Sequence, residues 1–475
     1  MQELHEECGI FGVYSPIEKE LQNTVYYGLF ALQHRGQESC GIVLNCDGVF
    51  QGYKELGIVS DVFKPEVLEG MGRGKIALGH VRYASSDSNN RKNTQPIDAN
   101  HIKGRIAIGI NGCITNSKSI RENLELKGSI FTTTSDAELI AHVIISERLK
   151  TSSIEEAVSC AMTRLEGAYS LGIMTSTKLL AVRDPHGIRP LCYGELDDGT
   201  KIIASESCAL ESVGARLVRD VSPGEILVIN EDGVQSITHH VGKAERALCI
   251  FEYIYFGRPD SKIEGYSVHK ARINAGKFLA RAFPAEADIV IGAPDSGIDA
   301  ALGFSEESGI PYETGFVKNK YIGRTFIAPK QEMREDLVKI KLNPIRAVVE
   351  GKRLVLVDDS IVRGTTSKKI VKLLKDFGAK EVHMRISSPP FIGLCHYGTD
   401  IDKKENLIAV SNSVEEIRKS ISADSLGFLK MEDMLKITDD PLAGFCRGCF
   451  DEIYPTPVPN ELFVSRFDQP LSLKK

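Results

Sequence analysis

RLVLVDDSIVRGTTS (residues 353–367) decides the architecture of the second half of this chain. Residues 353–357 are a short run rich in Val and Leu, the composition of a strand buried on both faces of a parallel sheet. A polar loop follows and opens an amphipathic helix over residues 367–377, which Gly378 closes. The strand therefore delivers Asp358 and Asp359 to its C-terminal end, where two acids can address ribose hydroxyls and a Mg2+ ion. The loop turns through Gly364, Thr365 and Thr366, and the backbone N–H groups and helix dipole there make a site for a 5′-phosphate. A pair of aspartates alone reads as an acidic cap on a strand; the whole string does not.

The same grammar extends to either side. Residues 288–291 are another apolar run ending in a polar loop, and residues 381–386 read as the next strand. The pattern sets in after about residue 241, without a Pro-, Gly- or Ser-rich linker. From Ser413 the tail reads as two short helices, then PTPVPNE (residues 455–461), a proline-rich extended stretch. The first half reads differently. Residues 8–14 (CGIFGVY) form an apolar strand, and residues 20–33 carry Leu21, Val25, Leu29 and Leu32 at helical spacing before Arg35-Gly36 stops the helix. Strands are expected at residues 75–81, 105–110, 170–174, 179–182 and 201–204, and helices at 135–150 and 153–165. A layered α/β sandwich accommodates them.

Bulk properties exclude several classes. A chain of 475 residues needs roughly two to three domains. Net charge is −6 with both signs interspersed, so no basic stripe argues for nucleic acid, and an anionic substrate needs a local cluster of positive groups. No run approaches the ~20 apolar residues of a membrane span. The leading MQELHEE is acidic and lacks the apolar core of a secretory signal. Eleven cysteines without such a signal imply a reducing, cytoplasmic setting and are candidates for catalysis or metal rather than disulfides.

Cys8 stands where a strand begins abruptly. Were residues 1–7 removed, its free α-amine, titrating near ~7.7–8, could serve as general base for its own thiol. On its own, such a cysteine reads as a buried hydrophobe. The segments LQHRGQES (32–39), GHVRYAS (79–85), INGCITN (110–116) and TSDAE (134–138) follow it in order. Together with CGIFG they resemble the glutamine amidotransferase domain of the N-terminal nucleophile class, over about residues 8–240. The resemblance implies an αββα fold, a propeptide of residues 1–7 and Cys8 as nucleophile. It places Arg82 on the glutamine α-carboxylate, a task suited to a guanidinium, and Asp136 on the α-ammonium. The Asn111 amide and the Gly112 N–H would form the oxyanion hole, although Asn-Gly alone reads as a turn. After GHVRYA, SSDSNN replaces the small, Gly-rich run of many relatives.

In the second half, RLVLVDDSIVRGTTS resembles the loop of type I phosphoribosyltransferases. IGAPDSG (291–297) and GFVKNKYIGRTFI (315–327) are similar to one family, the amidophosphoribosyltransferases of purine synthesis. By those motifs Ser296 would join Asp358 and Asp359 at Mg2+, and Lys318, Arg324 and Lys341 would meet the pyrophosphate, where developing charge calls for cations. The implied activity joins glutamine hydrolysis to ammonia attack on C1 of phosphoribosyl pyrophosphate. Its products are 5-phospho-β-D-ribosylamine, glutamate and pyrophosphate, at the first committed step of purine synthesis. Homotetramers inhibited by purine nucleotides are typical of the family. The implied domains are residues 1–7, 8–240 and 241–475.

Four further cysteines remain. Cys446 and Cys449 form a C-x-x-C, while Cys249 and Cys395 stand alone. Spacing leaves zinc, redox chemistry and no role open. The iron–sulfur-bearing subgroup of the family has cysteines in these four contexts, so the resemblance implies a [4Fe–4S] cluster on Cys249, Cys395, Cys446 and Cys449. Cys40, Cys46, Cys113, Cys160, Cys192 and Cys208 are expected in core packing. Two other classes compete: glucosamine-6-phosphate or asparagine synthesis, which share the glutaminase half, and transcriptional regulators that use the phosphoribosyltransferase fold as a sensor. The first lack VDDSIVRGTT; the second need a DNA-binding helical domain in place of the glutaminase set.

Overall fold

The computed structural model describes residues 8–83, 90–319, 342–399, 401, 403–439 and 444–459. Strand Gly9–Lys19 is buried over its first seven residues because both of its faces are covered. Ile10 and Tyr14 point to one side, against Leu78, Ala107 and Met174. Phe11 and Val13 point to the other, against Val25 and Leu29 of helix Leu21–Ala31. This period-two alternation between two apolar environments explains why the segment reads as a continuous apolar run. The strand is central in a seven-stranded sheet ordered Arg216–Asp220, Cys192–Glu195, Lys201–Ala204, Gly9–Lys19, Gly74–Arg82, Ser39–Cys46, Val49–Leu56. A six-stranded sheet packs against it, ordered Gly233–Ile237, Ile226–Asn230, Leu179–Arg183, Gly167–Thr175, Gly104–Ile114, Ile97–His101. Helices Asp136–Arg148 and Ile154–Met162 cover its outer face, with Leu139, Val143 and Ala157 against Ile108, Leu171 and Ile173. The order of layers is helix, sheet, sheet, helix.

The second half is a four-stranded parallel sheet, Ile289–Gly292, Arg353–Asp358, Glu381–Ile386 and Ser425–Phe428. Val290, Val355 and Val357 face helices Val268–Ala282 and Gly297–Ser308. Leu354 and Leu356 face Thr365–Asp376 and Val414–Ile421. Parallel strands wrapped on both faces leave their C-terminal ends as the open edge, where the ligand loops lie. The tail returns to the start of this half: Leu248–Cys249 pairs in parallel with Phe445–Cys446. Among the described residues, no helix is long and apolar enough to cross a membrane.

Most element types agree with the sequence reading, but the tail, read as two short helices, also contributes strand Ser425–Phe428 to the parallel sheet. The strand expected at 105–110 continues to Ile114, so Asn111-Gly112 lies inside a strand and not at a turn. The register Asn111↔Ser170 and Gly112↔Tyr169 holds it there. The hairpin Ser39–Cys46/Val49–Leu56 had no place in the reading, nor did the Ile226–Asn230/Gly233–Ile237 pair. Its outer strand Val49–Leu56 is mostly exposed, which removes the apolar alternation by which strands are found.

Candidate functional site

Cys8 is half-buried at the start of the central strand, and its thiol donates to the Tyr83 carbonyl at 3.8 Å. Burial pushes that thiol up, while the nearby Arg82 and Arg35 cations pull it down. Arg82 ends strand Gly74–Arg82 and is itself nearly enclosed; burial lowers it, and Cys8 and Glu38 raise it. Asp136 opens its helix behind the cap of Ser135, and its Oδ2 accepts the Ile114 N–H at 2.9 Å. Burial raises the Asp136 carboxyl, a cost that a bound ammonium would offset. Asn111 is fully buried, and neither its Nδ2 nor its Oδ1 has a hydrogen-bond partner among the described residues. Orphaned buried amides are rare because they forfeit solvation, and a donor kept dry for a developing oxyanion is one reason to have one. Gly112 has φ +132°, and a Cβ there would lie 2.1 Å from the Ala168 carbonyl oxygen, so only glycine fits.

The supporting residues were not legible as such in the sequence. Ile110, just before Asn111, is gripped twice: its carbonyl accepts His80 Nε2–H at 2.8 Å, and its N–H donates to Gln95 Oε1 at 2.8 Å. A carbonyl can only accept, so His80 carries its proton on Nε2. Burial drives His80 down to about 3, and the ring is neutral. Glu138 accepts from the backbone N–H and hydroxyl groups of Thr132 and Thr133, at 2.7–2.9 Å, and so shapes the turn that presents Asp136. Cys113, expected in the core, is half-buried and lies close enough to Asp136 and Cys8 for both to push its thiol up, after burial itself.

In the second half, strand Arg353–Asp358 carries Asp358 to the open edge as expected, and Asp359 follows, nearly buried. Ser296 and Ser360 hydroxyls donate to the two Asp359 oxygens, which brings Ser296 into the acidic pair's site. Burial raises Asp359, and these hydroxyls and Arg272 oppose the rise. A buried carboxylate whose charge is opposed by burial, beside a second acid, is a chemically suitable seat for Mg2+. Gly364 has φ +75° and caps helix Thr365–Asp376, so Thr365 and Thr366 lie in its first turn, where free N–H groups point outward. Lys318, at the end of strand Phe316–Lys318, pairs with Asp295. Arg324 and Lys341 lie outside the described residues, as do residues 1–7.

Residues 80–212 match the glutamine amidotransferase domain family and residues 269–387 the phosphoribosyl transferase domain family. An amidophosphoribosyltransferase of Methanocaldococcus jannaschii is 47% identical over 97% of this chain and 100% of its own length. That of Bacillus subtilis is 46% identical, covering 96% of this chain and 95% of its own. The chain belongs to the amidophosphoribosyltransferases. Among solved structures, the fold is similar to an allosteric regulatory enzyme of purine biosynthesis (TM-score 0.90, 44% identity, 98% of this chain and 100% of the other). It is similar also to the B. subtilis glutamine phosphoribosylpyrophosphate amidotransferase complexed with ADP and GMP (TM-score 0.89, 46% identity, 96% and 99%).

Within this amidophosphoribosyltransferase fold, two features join the halves. Cys249, Cys395, Cys446 and Cys449 line one cavity, walled besides by apolar and aromatic groups such as Phe251, Phe391 and Tyr454 and closed from the first half by Ile188 and Arg189. The pairing Cys249↔Cys446 and the bonds of the Ile392 and Gly393 N–H groups to the Cys449 carbonyl, each at 3.0 Å, assemble them. Burial pushes Cys249 and Cys446 up to about 12 and raises Cys449 well above the ordinary thiol range. Among the described residues, no three or more His, Cys, Asp or Glu side chains gather as a single-ion site. The thiols ring a cavity rather than a point, which suits a polynuclear group better than one ion. The second feature is a buried ionic chain. Arg35 donates from Nε to the Cys8 carbonyl at 3.2 Å, from Nη1 to Glu206 at 2.6 Å, and from Nη2 to Glu252 at 2.7 Å. Arg189 completes it, reaching Glu252 at 3.4 Å and the Tyr397 carbonyl at 2.8 Å.

Proposed function

We propose that the chain cleaves glutamine at Cys8 and delivers the ammonia within the protein to C1 of phosphoribosyl pyrophosphate, as an amidophosphoribosyltransferase (a pentosyltransferase) of purine synthesis. The observation that carries the reading is the orphaned Asn111 amide beside the strand of Cys8, in a chain whose other half carries the Asp358-Asp359 loop. With residues 1–7 removed, the Cys8 α-amine takes the thiol proton and the thiolate attacks the glutamine side-chain carbonyl. The oxyanion falls to Asn111 Nδ2 and the Gly112 N–H, while Arg82 and Asp136 hold the two ends of the amino acid. Ammonia leaves with the proton returned by the amine, and water then releases glutamate from the thioester. In the second half Gly364, Thr365 and Thr366 bind the 5′-phosphate, and Asp358 and Asp359 the ribose hydroxyls.

Asp358, Asp359 and Ser296 would hold Mg2+, which when bound offsets charge on the departing pyrophosphate. Lys318, Arg324 and Lys341 are assigned to that same anion. Cys249, Cys395, Cys446 and Cys449 would hold a [4Fe–4S] cluster, whose contribution is structural, tying the tail to the domain boundary. The division into residues 1–7, 8–240 and 241–475, a homotetramer, inhibition by purine nucleotides and a cytoplasmic setting belong to the same reading. The ADP- and GMP-bound relative supports the nucleotide part. The test combines mass spectrometry of active enzyme, expected to begin at Cys8, with assays of glutamate and pyrophosphate from glutamine plus phosphoribosyl pyrophosphate. Full glutamine-dependent activity in a chain that retains residue 7 would defeat it.

A further inference from the structure

Ion pairs between the halves of this chain converge on the backbone of Cys8. Arg35 is almost fully enclosed, and one of its five N–H groups is spent on the Cys8 carbonyl. Three more go to two carboxylates reached from different directions. Glu206 follows Ser205, whose Oγ accepts the Ile10 N–H at 2.9 Å and whose own N–H donates to the Ile10 carbonyl at 3.0 Å. Glu206 is in turn held from the second half, by the Arg258 N–H at 2.9 Å and the Ser261 hydroxyl at 2.7 Å. Glu252 belongs to the second half outright. It opens a π-helical turn, Glu252–Phe256, and π turns interrupt regular helix mostly where a side chain must be aimed. The turn is pinned by Arg272 of helix Val268–Ala282, which donates to the carbonyls of Tyr253, Tyr255 and Gly257 at 2.8, 3.0 and 2.6 Å. The guanidinium on Cys8 therefore takes its position from Glu252 of the other half and from Glu206 of its own half, which the other half holds in place.

We propose that Arg35 is the positioning residue of the Cys8 nucleophile, and that Glu252 sets its place, so that glutamine cleavage requires the second half docked through this contact. The inference rests on the reading of Cys8 as nucleophile. Arg35 donates to the Cys8 backbone carbonyl, whereas the glutamine ends are assigned to Arg82 and Asp136, so its loss misplaces the nucleophile and leaves those two residues in place. In the full, cluster-bearing enzyme, Arg35→Gln and Glu252→Gln are expected to lower kcat for glutamine cleavage by about ten- to a hundred-fold. KM for glutamine and the ammonia-dependent reaction should both stay within roughly two-fold, because Arg82, Asp136 and the ribose site are untouched. Alkylation of Cys8 by iodoacetamide, mapped by peptide, should slow in both variants. Arg35→Lys should recover part of kcat, since it keeps the charge and loses the fork. Unchanged kcat and alkylation in Glu252→Gln, a loss confined to KM, or parallel loss of the ammonia reaction in every variant would each overturn the proposal. Cys8→Ala, run alongside, separates the two ideas: if it still used glutamine, the reading of Cys8 would fail, whatever the Arg35 variants did.

Discussion

At the scale of single residues, the two chemistries are separable because they share no side chain. Cys8→Ala removes the proposed nucleophile and leaves Ser296, Asp358, Asp359 and the Gly364 loop intact. Glutamine-dependent synthesis should vanish, and synthesis from added ammonia at alkaline pH should survive, since free ammonia carries the attacking lone pair. The double variant Asp358→Asn, Asp359→Asn should lose both reactions while retaining some glutaminase. Separate assays of glutamate and pyrophosphate check this, and survival of the ammonia reaction in the aspartate variant would refute the assignment. Asn111→Ala should lower kcat for glutamine by about 10²–10³ with KM little changed, the usual loss for one oxyanion donor. That asymmetry is the measurement, because a residue binding ground-state glutamine would move KM instead.

Elements matter here through how strands are held against one another. The strand bearing Asn111 is fixed to its neighbour across the two sheets by His80, whose ring is dry and neutral. With a folded pKa depressed to about 3, His80 takes up no proton when the unfolded chain does, near its ordinary value of 6.5. Its contribution is thus fully present above pH 6.5 and is lost as pH falls toward 3, amounting to about 2 kcal/mol by pH 5. Denaturant midpoints at pH 7 and pH 5 should show a smaller acid loss in His80→Asn than in the parent; equal losses would remove His80 as the cause. Legibility at this scale followed periodicity. Many apolar strands and helices stand in the sequence within a few residues of their ends, but the buried strands Ser39–Cys46 and Ile226–Asn230 and the exposed strand Val49–Leu56 did not, even though Asp47-Gly48, both at positive φ, mark the turn of the first hairpin.

For the whole molecule the question is what fastens the two catalytic halves. The cysteine cavity joins Ile188 and Arg189 of the first half to Cys249, Cys395, Cys446 and Cys449 of the second. If it holds a [4Fe–4S] cluster, anaerobically purified protein should be brown and contain about four irons per chain. Stoichiometric zinc without iron would contradict it. Cys446→Ser should lower stability and yield more than it alters the kinetics of whatever folds, because no cysteine of the cavity belongs to either reacting centre. The measurement is a thermal midpoint set beside kcat for both nitrogen sources.

What the sequence determined alone was whatever local order encodes. Continuous apolar runs specified strands buried on both faces, and VDDSIVRGTT specified two acids at a strand end and a glycine turn into a helix because strand, loop and helix are contiguous. The ordered segments around Cys8 specified the glutaminase family. Only the tertiary structure decided which polar residues are buried together. Arg35, Glu206, Glu252 and Arg189 look like any solvated charges in the sequence, and their partners lie 171, 217 and 63 residues apart. A salt bridge at such separation leaves no periodic trace, and an arginine destined for the interior is written with the same letter as one on the surface. The same holds for Asn111-Gly112, a turn by composition and a strand by its pairing with Ser170 and Tyr169. Pairing across sheets is a property of the folded chain, and it is there that the nucleophile acquires its surroundings.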